Sequence, residues 1–318
     1  MKVLVTGACG YKGTVLVPKL LREGFEVLAL DTMWFGNFLQ DHPALKIVQG
    51  SILDLEDFKF DGIDAIIHLA SIANDPCGDL EPKLTWETSA LGSMRLADKA
   101  LRNNVGHIIY ASSGSVYGLK EEEQVTEDLE LLPLSEYNKT KMVAERALLS
   151  YEKDLVIQVI RPATVCGYSP RMRLDVAVNM LTMQALTNGL ITVFGGKQVR
   201  PNIHIDDITD LYIFMLKNPQ FTGVYNAGFE NLSILDIADK ISQFIQTEIQ
   251  ITESNDPRSY RVNSDKLLKL GFSPKKTVSD AIREIIEKYN SGDLKDLAEY
   301  HNLKWMEKTG VVKQNNNN

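Results

Sequence analysis

Cysteine is scarce in this chain. Cys9, Cys77 and Cys166 are the only three and no two stand in a CxxC spacing, so neither a disulfide framework nor a cysteine zinc site is expected. The five histidines are scattered and form no metal-ligand pattern, so no metal is expected either. Basic charge is in deficit, with 34 Lys and Arg against 42 Asp and Glu, a net −8. That balance, with no run of five basic residues, argues against a nucleic-acid or anionic-membrane partner. Long apolar runs are missing as well. Val3-Leu4-Val5 is the only early one, too short for a signal-peptide core or a membrane span. A soluble, reducing, cytoplasmic setting is the expectation. What remains is ordinary globular material: 318 residues, 44% hydrophobic and 24% charged, enough for one large α/β domain or two unequal ones.

Residues 2–6, KVLVT, form a short β-branched apolar run, as in a strand buried on both faces. Gly7-Ala8-Cys9-Gly10-Tyr11-Lys12-Gly13 follows at once, then Val15, Leu16, Leu20 and Leu21 at helical spacing. Pro18 lies inside that helix and is expected to kink it or cost it a hydrogen bond. Residues 25–30 make a second strand ending at Asp31. Further strands are expected at 46–49, 65–70, 107–111 and 156–160, with helices over 84–103 and around Tyr137. Such alternation predicts an α/β fold, a doubly wound parallel sheet of Rossmann type with right-handed crossovers. After Arg161-Pro162 the pattern loosens. Helices are expected near 174–188, 208–217 and 233–247, with strands at 203–207 and 223–226. We read 1–165 as a dinucleotide-binding domain to which about 200–228 returns, and 166–318 as mainly a smaller C-terminal lobe. The polar tail, about 311–318, is expected to be disordered.

The first strand, glycine turn, helix and second strand form one complete unit, closed by an acid about 20 residues after the loop, the context a dinucleotide-binding motif requires. Gly7 permits the tight turn, Gly10 the approach of a pyrophosphate, and Gly13 the packing of helix on strand. The helix N-terminus offers unpaired N–H groups to the phosphates. Asp31 is expected to accept from the adenosine ribose hydroxyls, favouring NAD over NADP, whose 2′-phosphate it would repel.

A second pattern carries acid–base chemistry. Tyr137 and Lys141, four apart on a predicted helix, share one face. A free phenol titrates near pH ~10 and is a poor base at neutrality. A nearby ammonium favours the phenolate, and reaching about 7 takes roughly 4 kcal/mol. Ligands of an open parallel sheet bind beyond its carboxyl ends, and the serine-rich Ser112-Ser113-Gly114-Ser115 begins there, after the fifth strand.

TGACGYKG (6–13), HLA (68–70), SSGSVYG (112–118), YNKTK (137–141), RPATVCGYSPR (161–171) and RPNIHIDD (200–207) together resemble the extended short-chain dehydrogenase/reductase superfamily, the NAD-dependent nucleotide-sugar epimerases and dehydratases. Weaker similarity runs through DPRSYRVN (256–263). The resemblance implies Ser113, Tyr137 and Lys141 as catalytic residues, Tyr137 as the general base or acid and Lys141 as the ligand of the nicotinamide ribose. It implies an NAD site built from Gly7, Gly10, Tyr11, Lys12, Gly13, Asp31, Ser51, Ile52, Leu69, Ala70, Ser71, Ser89, Tyr137 and Lys141. A nucleotide-diphosphate sugar would meet Ser113, Arg173, Asn179, Arg200 and Arg258. His204, between Ile203 and Ile205, reads as structural.

The chain departs from the family pattern in places. Dehydratases carry an Asp-Glu pair where Gly114-Ser115 stand here, and decarboxylases a Glu at Ser115. Ser51 and Ser89 replace the usual Asp and Asn of the cofactor site, and the family's RPG-like arginine falls near Glu253, leaving Arg258 for the phosphate. The segment 169–179 is similar to bacterial enzymes acting on nucleotide-linked sugars for surface polysaccharides. The expected activity is epimerisation of a sugar hydroxyl, at C4, through a 4-keto intermediate. The alternatives are a C4 dehydrogenase or ketoreductase, a 4,6-dehydratase, and a non-catalytic dinucleotide-sensing regulator. The resemblance also implies a homodimer formed through a four-helix bundle of the 84–103 and 137–151 helices.

Overall fold

The computed structural model describes residues 1–253 and 259–310. The tail at 311–318 and Arg258 lie outside them. Twelve strands run along the described chain: β1 (Lys2–Thr6), β2 (Glu26–Asp31), β3 (Leu45–Gln49), β4 (Ala65–His68), β5 (His107–Ala111), β6 (Val156–Pro162), β7 (Thr164–Cys166), β8 (Leu190–Phe194), β9 (Val199–His204), β10 (Gly223–Ala227), β11 (Glu230–Ser233) and β12 (Glu248–Thr252). Seven of them form one parallel sheet in the order β10-β6-β5-β4-β1-β2-β3. This is the expected doubly wound α/β architecture. Strand order reverses between β1 and β4, which opens a crevice beyond their carboxyl ends.

Burial on both faces explains the unbroken apolar strands. Val3 and Val5 face Leu16, Leu20, Ile208 and Leu211 of the Gly13–Arg22 and Ile205–Lys217 helices. Leu4 and Ile66 face Leu96, Ala97, Ala144 and Leu148 of the Gly92–Arg102 and Glu136–Leu149 helices. The Gly13–Arg22 helix runs unbroken through Pro18, so what the proline costs there is its missing N–H donor. Beyond β6 a separate core packs Val178, Leu181, Ile191, Ile237 and Ile282 together, and five further strands pair as the β11-β9-β7 and β12-β8 sheets. Among the described residues, no helix is long and apolar enough to cross a membrane.

Two expectations need correction. The strand expected over 203–207 ends at His204, and Ile205 opens a helix. The apolar alternation hid a cap: His204 Nδ1 accepts from Asp206 N at 3.0 Å, and Asp206 and Asp207 supply the negative charge that a helix start favours. The helix expected as one piece over 84–103 is interrupted by a π turn at Glu87–Leu91. Such bulges recur at functional sites, and here Thr88 faces the main cavity.

Candidate active site

A cavity of about 800 Å³ lies across the carboxyl ends of the central sheet. At one end is the β1 turn. Gly7 has φ +70, and a Cβ on it would meet Ala70 N at 2.7 Å. A Cβ on Gly13 would meet Ala8 O at 2.3 Å. Only glycine fits either place, so the backbone itself forms the cradle that a pyrophosphate requires. Asp31 closes β2 and is fixed by two backbone donors, Cys9 N at 2.9 Å and Met33 N at 2.7 Å. Its carboxylate lines the cavity, where an adenosine ribose would be recognised. These features fit NAD.

The remaining expected cofactor residues divide. Gly10, Lys12, Ser51, Ile52, Leu69, Ala70, Ser71 and Tyr11 line the cavity. Ser89 does not; it is buried behind the wall, with its hydroxyl 3.0 Å from that of Ser71. Tyr11 turns its hydroxyl inward to the Gly167 carbonyl, 2.7 Å away.

Ser113, Tyr137 and Lys141 line the same cavity. Ser135 caps the Tyr137 helix by accepting from Asn138 N at 3.2 Å. Gly78 lets the short Asp75–Leu80 helix press on the Tyr137 backbone, since a Cβ there would meet Tyr137 Cβ at 3.0 Å. The Ser113 hydroxyl lies 2.7 Å from that of Ser115, and Ser115 in turn donates to the Asn138 amide oxygen. Behind Lys141, one turn further along the helix, Glu145 forms a buried pair with Arg161 at 2.7 Å and accepts from Ser112. Ser112 adjoins Ser113, so this network fixes the helix to the serine loop.

The electrostatics differ from the expected pairing. Lys141 Nζ donates to the Ala111 carbonyl at 2.8 Å and lies 5.9 Å from the Tyr137 ring centre. Burial, then the neighbouring Lys12 charge, holds its pKa well below that of a free lysine. Burial likewise pushes the Tyr137 phenol up to about 12. The cation that draws it down is Arg173, with a smaller contribution from the Ser113 hydrogen bond; Asp75 opposes both.

Of the expected substrate residues, Arg173 and Arg200 line the cavity. Arg173 is braced on Asp175 through Nε, 2.8 Å, and Nη2, 3.1 Å. Asn179 is fully buried, its side-chain amide committed to Gly167 N, the Tyr11 hydroxyl and the Arg173 carbonyl. It therefore supports the Arg173 loop from behind. Reading the sequence missed Asp75, Arg171, Trp34, Phe35 and residues 301–306, all on the cavity wall save Trp305. Arg171 ends the RPATVCGYSPR motif, yet only Arg173 of the PRMR stretch is implied as a site residue, and nothing in the C-terminal pattern singles out 301–306.

Comparison with known proteins now adds to this geometry. The model of the NAD dependent epimerase/dehydratase family matches residues 3–228. The chain belongs to that family. As an NAD-dependent epimerase/dehydratase, it uses NAD as its cofactor. It is 30% identical to a UDP-glucose 4-epimerase of Lactobacillus helveticus, over 89% of this chain and 95% of that protein. It is 26% identical to the low-salt glycan biosynthesis protein Agl12 of Haloferax volcanii, over 92% of this chain and 100% of the other. The structure of the UDP-glucuronic acid 4-epimerase from Bacillus cereus, in complex with UDP-glucuronic acid and NAD, superimposes with a TM-score of 0.78 at 27% identity. That match covers 92% of this chain and 99% of the other.

Proposed function

We propose that this enzyme is a nucleotide-sugar 4-epimerase, which oxidises a sugar hydroxyl to a 4-keto sugar and reduces it again on the other face. One observation carries the reading. Tyr137, Ser113 and Lys141 converge beside the glycine cradle, while Gly114 and Ser115 leave the serine loop without the carboxylates that elimination or decarboxylation would use there. Bound NAD supplies the hydride acceptor and donor. Tyr137 takes the hydroxyl proton and returns it, Ser113 holds the same oxygen, and Lys141 binds the nicotinamide ribose. Arg173 and Ser113 favour the phenolate that the tyrosine must become. Arg200 and Arg173, with Arg258, grip the substrate diphosphate, for which a guanidinium fork is suited. The lobe after residue 166 closes over the sugar. UDP is the nucleotide that the epimerases similar to this chain suggest.

Incubation with UDP-glucose or UDP-glucuronic acid, without added NAD, should yield the C4 epimer. Tyr137→Phe should lower kcat by about 10²- to 10⁴-fold, and full activity in that variant would sink the assignment. Stoichiometric reduced cofactor with no epimer would instead indicate a dehydrogenase. We also propose a homodimer through the Gly92–Arg102 and Glu136–Leu149 helices. Leu91 and Met94, 38% and 44% exposed, present an apolar face there. A monomer in light scattering at micromolar concentration would refute it.

A further inference from the structure

Arg171 is a buried cation with a bond unmade. Its side chain lines the cavity although the residue is only 2% exposed. The guanidinium carbon lies 4.0 Å from the centre of the Phe35 ring. Nη2 donates to Asn302 Oδ1 at 2.6 Å and Nη1 to the Met172 carbonyl at 3.3 Å. Nε has no acceptor among the described residues. The Nε atom is sealed from solvent, so what Arg171 offers is its fixed place between Phe35 and Asn302.

Two partners of Arg171, Phe35 and Asn302, come from opposite ends of the chain. Phe35 follows Asp31 at the end of β2, in the loop where Trp34 and Gly36 also line the cavity. Asn302 opens the Asn302–Thr309 helix. His301, Asn302, Leu303, Lys304 and Met306 face the same cavity. That helix is fastened at two more points. The Trp305 indole N–H donates to the Trp34 carbonyl at 2.8 Å, and Met306, 2% exposed, packs with Ile72, Cys77 and Leu84. Arg171 therefore joins the ribose-side loop to the last helix, across the end of the cavity that holds Asp31.

We propose that Arg171 is a positioning residue that ties the Trp34–Phe35 loop to the Asn302–Thr309 helix, and that this helix is the clasp that closes NAD into the cavity. The inference rests on NAD as the cofactor and not on which sugar reaction follows.

The test is exchange of NAD from the purified holoenzyme against excess labelled NAD, with NAD per chain measured after release and no sugar present. A charge-assisted hydrogen bond at a buried site corresponds to about ten- to a hundredfold in affinity. Arg171→Met, which keeps an apolar stem against Phe35, should therefore speed exchange by that factor. Asn302→Ala, which leaves Arg171 in place but unanchored, should speed it several-fold. Exchange at the wild-type rate in a folded Arg171→Met would overturn the proposal. If that variant does not fold, Asn302→Ala decides, and wild-type exchange there overturns it equally. Arg171-dependent exchange in a protein that epimerises no sugar would refute the proposed function and uphold this one.

Discussion

Removing Glu145 gives a sharp measure of how the Tyr137 helix is held. Its carboxylate receives Arg161 Nη2 at 2.7 Å and Nε at 3.1 and 3.2 Å. The pair is shut away, Glu145 being 1% and Arg161 5% exposed. Glu145→Ala strands a buried guanidinium that retains the Tyr117 hydroxyl, 2.7 Å away, and takes the acceptor from Ser112. Breaking a buried pair this way costs about 3–5 kcal/mol, because the remaining charge loses its compensation. At about 2–4 °C per kcal/mol for a large domain, the melting temperature should fall by roughly 6–20 °C. Glu145→Leu with Arg161→Met removes both charges and should recover most of the loss, since apolar replacements of such pairs are near neutral. Thermal and urea melts of wild type, both single variants and the double close the cycle. The reasoning fails if Glu145→Ala melts within about 2 °C of wild type, or if the two substitutions add without coupling.

Three further outcomes can be checked. His68, buried between the hydroxyls of Thr6 and Ser93, has its pKa lowered to about 3 by burial first and then by Lys141. Its contribution is therefore full above about pH 6.5 and is lost as pH falls toward 3, about 2 kcal/mol being gone by pH 5; unfolding free energy should decline less steeply over that range in His68→Gln, and an unchanged slope refutes this. Gly78→Ala would put a methyl 3.0 Å from Tyr137 Cβ and 3.1 Å from its backbone N, so kcat should drop on the order of tenfold while NAD exchange stays as in wild type; unaltered kcat would show that the helix yields freely. Lys12, lowered to about 8 by burial and then by Arg173, should regain its proton when a diphosphate binds, so calorimetry at pH 8 in buffers of different ionisation heat should report uptake of up to about half a proton. No dependence on buffer would exclude it.

That last outcome follows from the part of the site that patterns could not show. The sheet was legible because strands buried on both faces must be apolar throughout, and the glycine turn because a backbone that approaches a phosphate tolerates no Cβ. Tyr137 and Lys141 were legible as neighbours, four residues apart on one helix face. Spacing carries no sign of solvent, however. Burial lowers the pKa of Lys141, and the cation that draws the Tyr137 phenol down is Arg173, 36 positions away in a loop. Arg171 and Asn302 stand 131 positions apart, and no local periodicity couples them. Lys12, Lys141, Arg171, Arg173 and Arg200 all face one cavity. Burial together with Lys12 depresses Lys141, and burial together with Arg173 depresses both Lys12 and Arg171. Asp31, Asp75 and Asp175 offset only part of this surplus. A cavity poised in that way is completed by anions, and a dinucleotide and a nucleotide sugar together bring two diphosphates. Their binding lifts the mutual repulsion and raises the pKa of Lys12 and Lys141 again, which favours the ammonium that the tyrosine–lysine spacing implied.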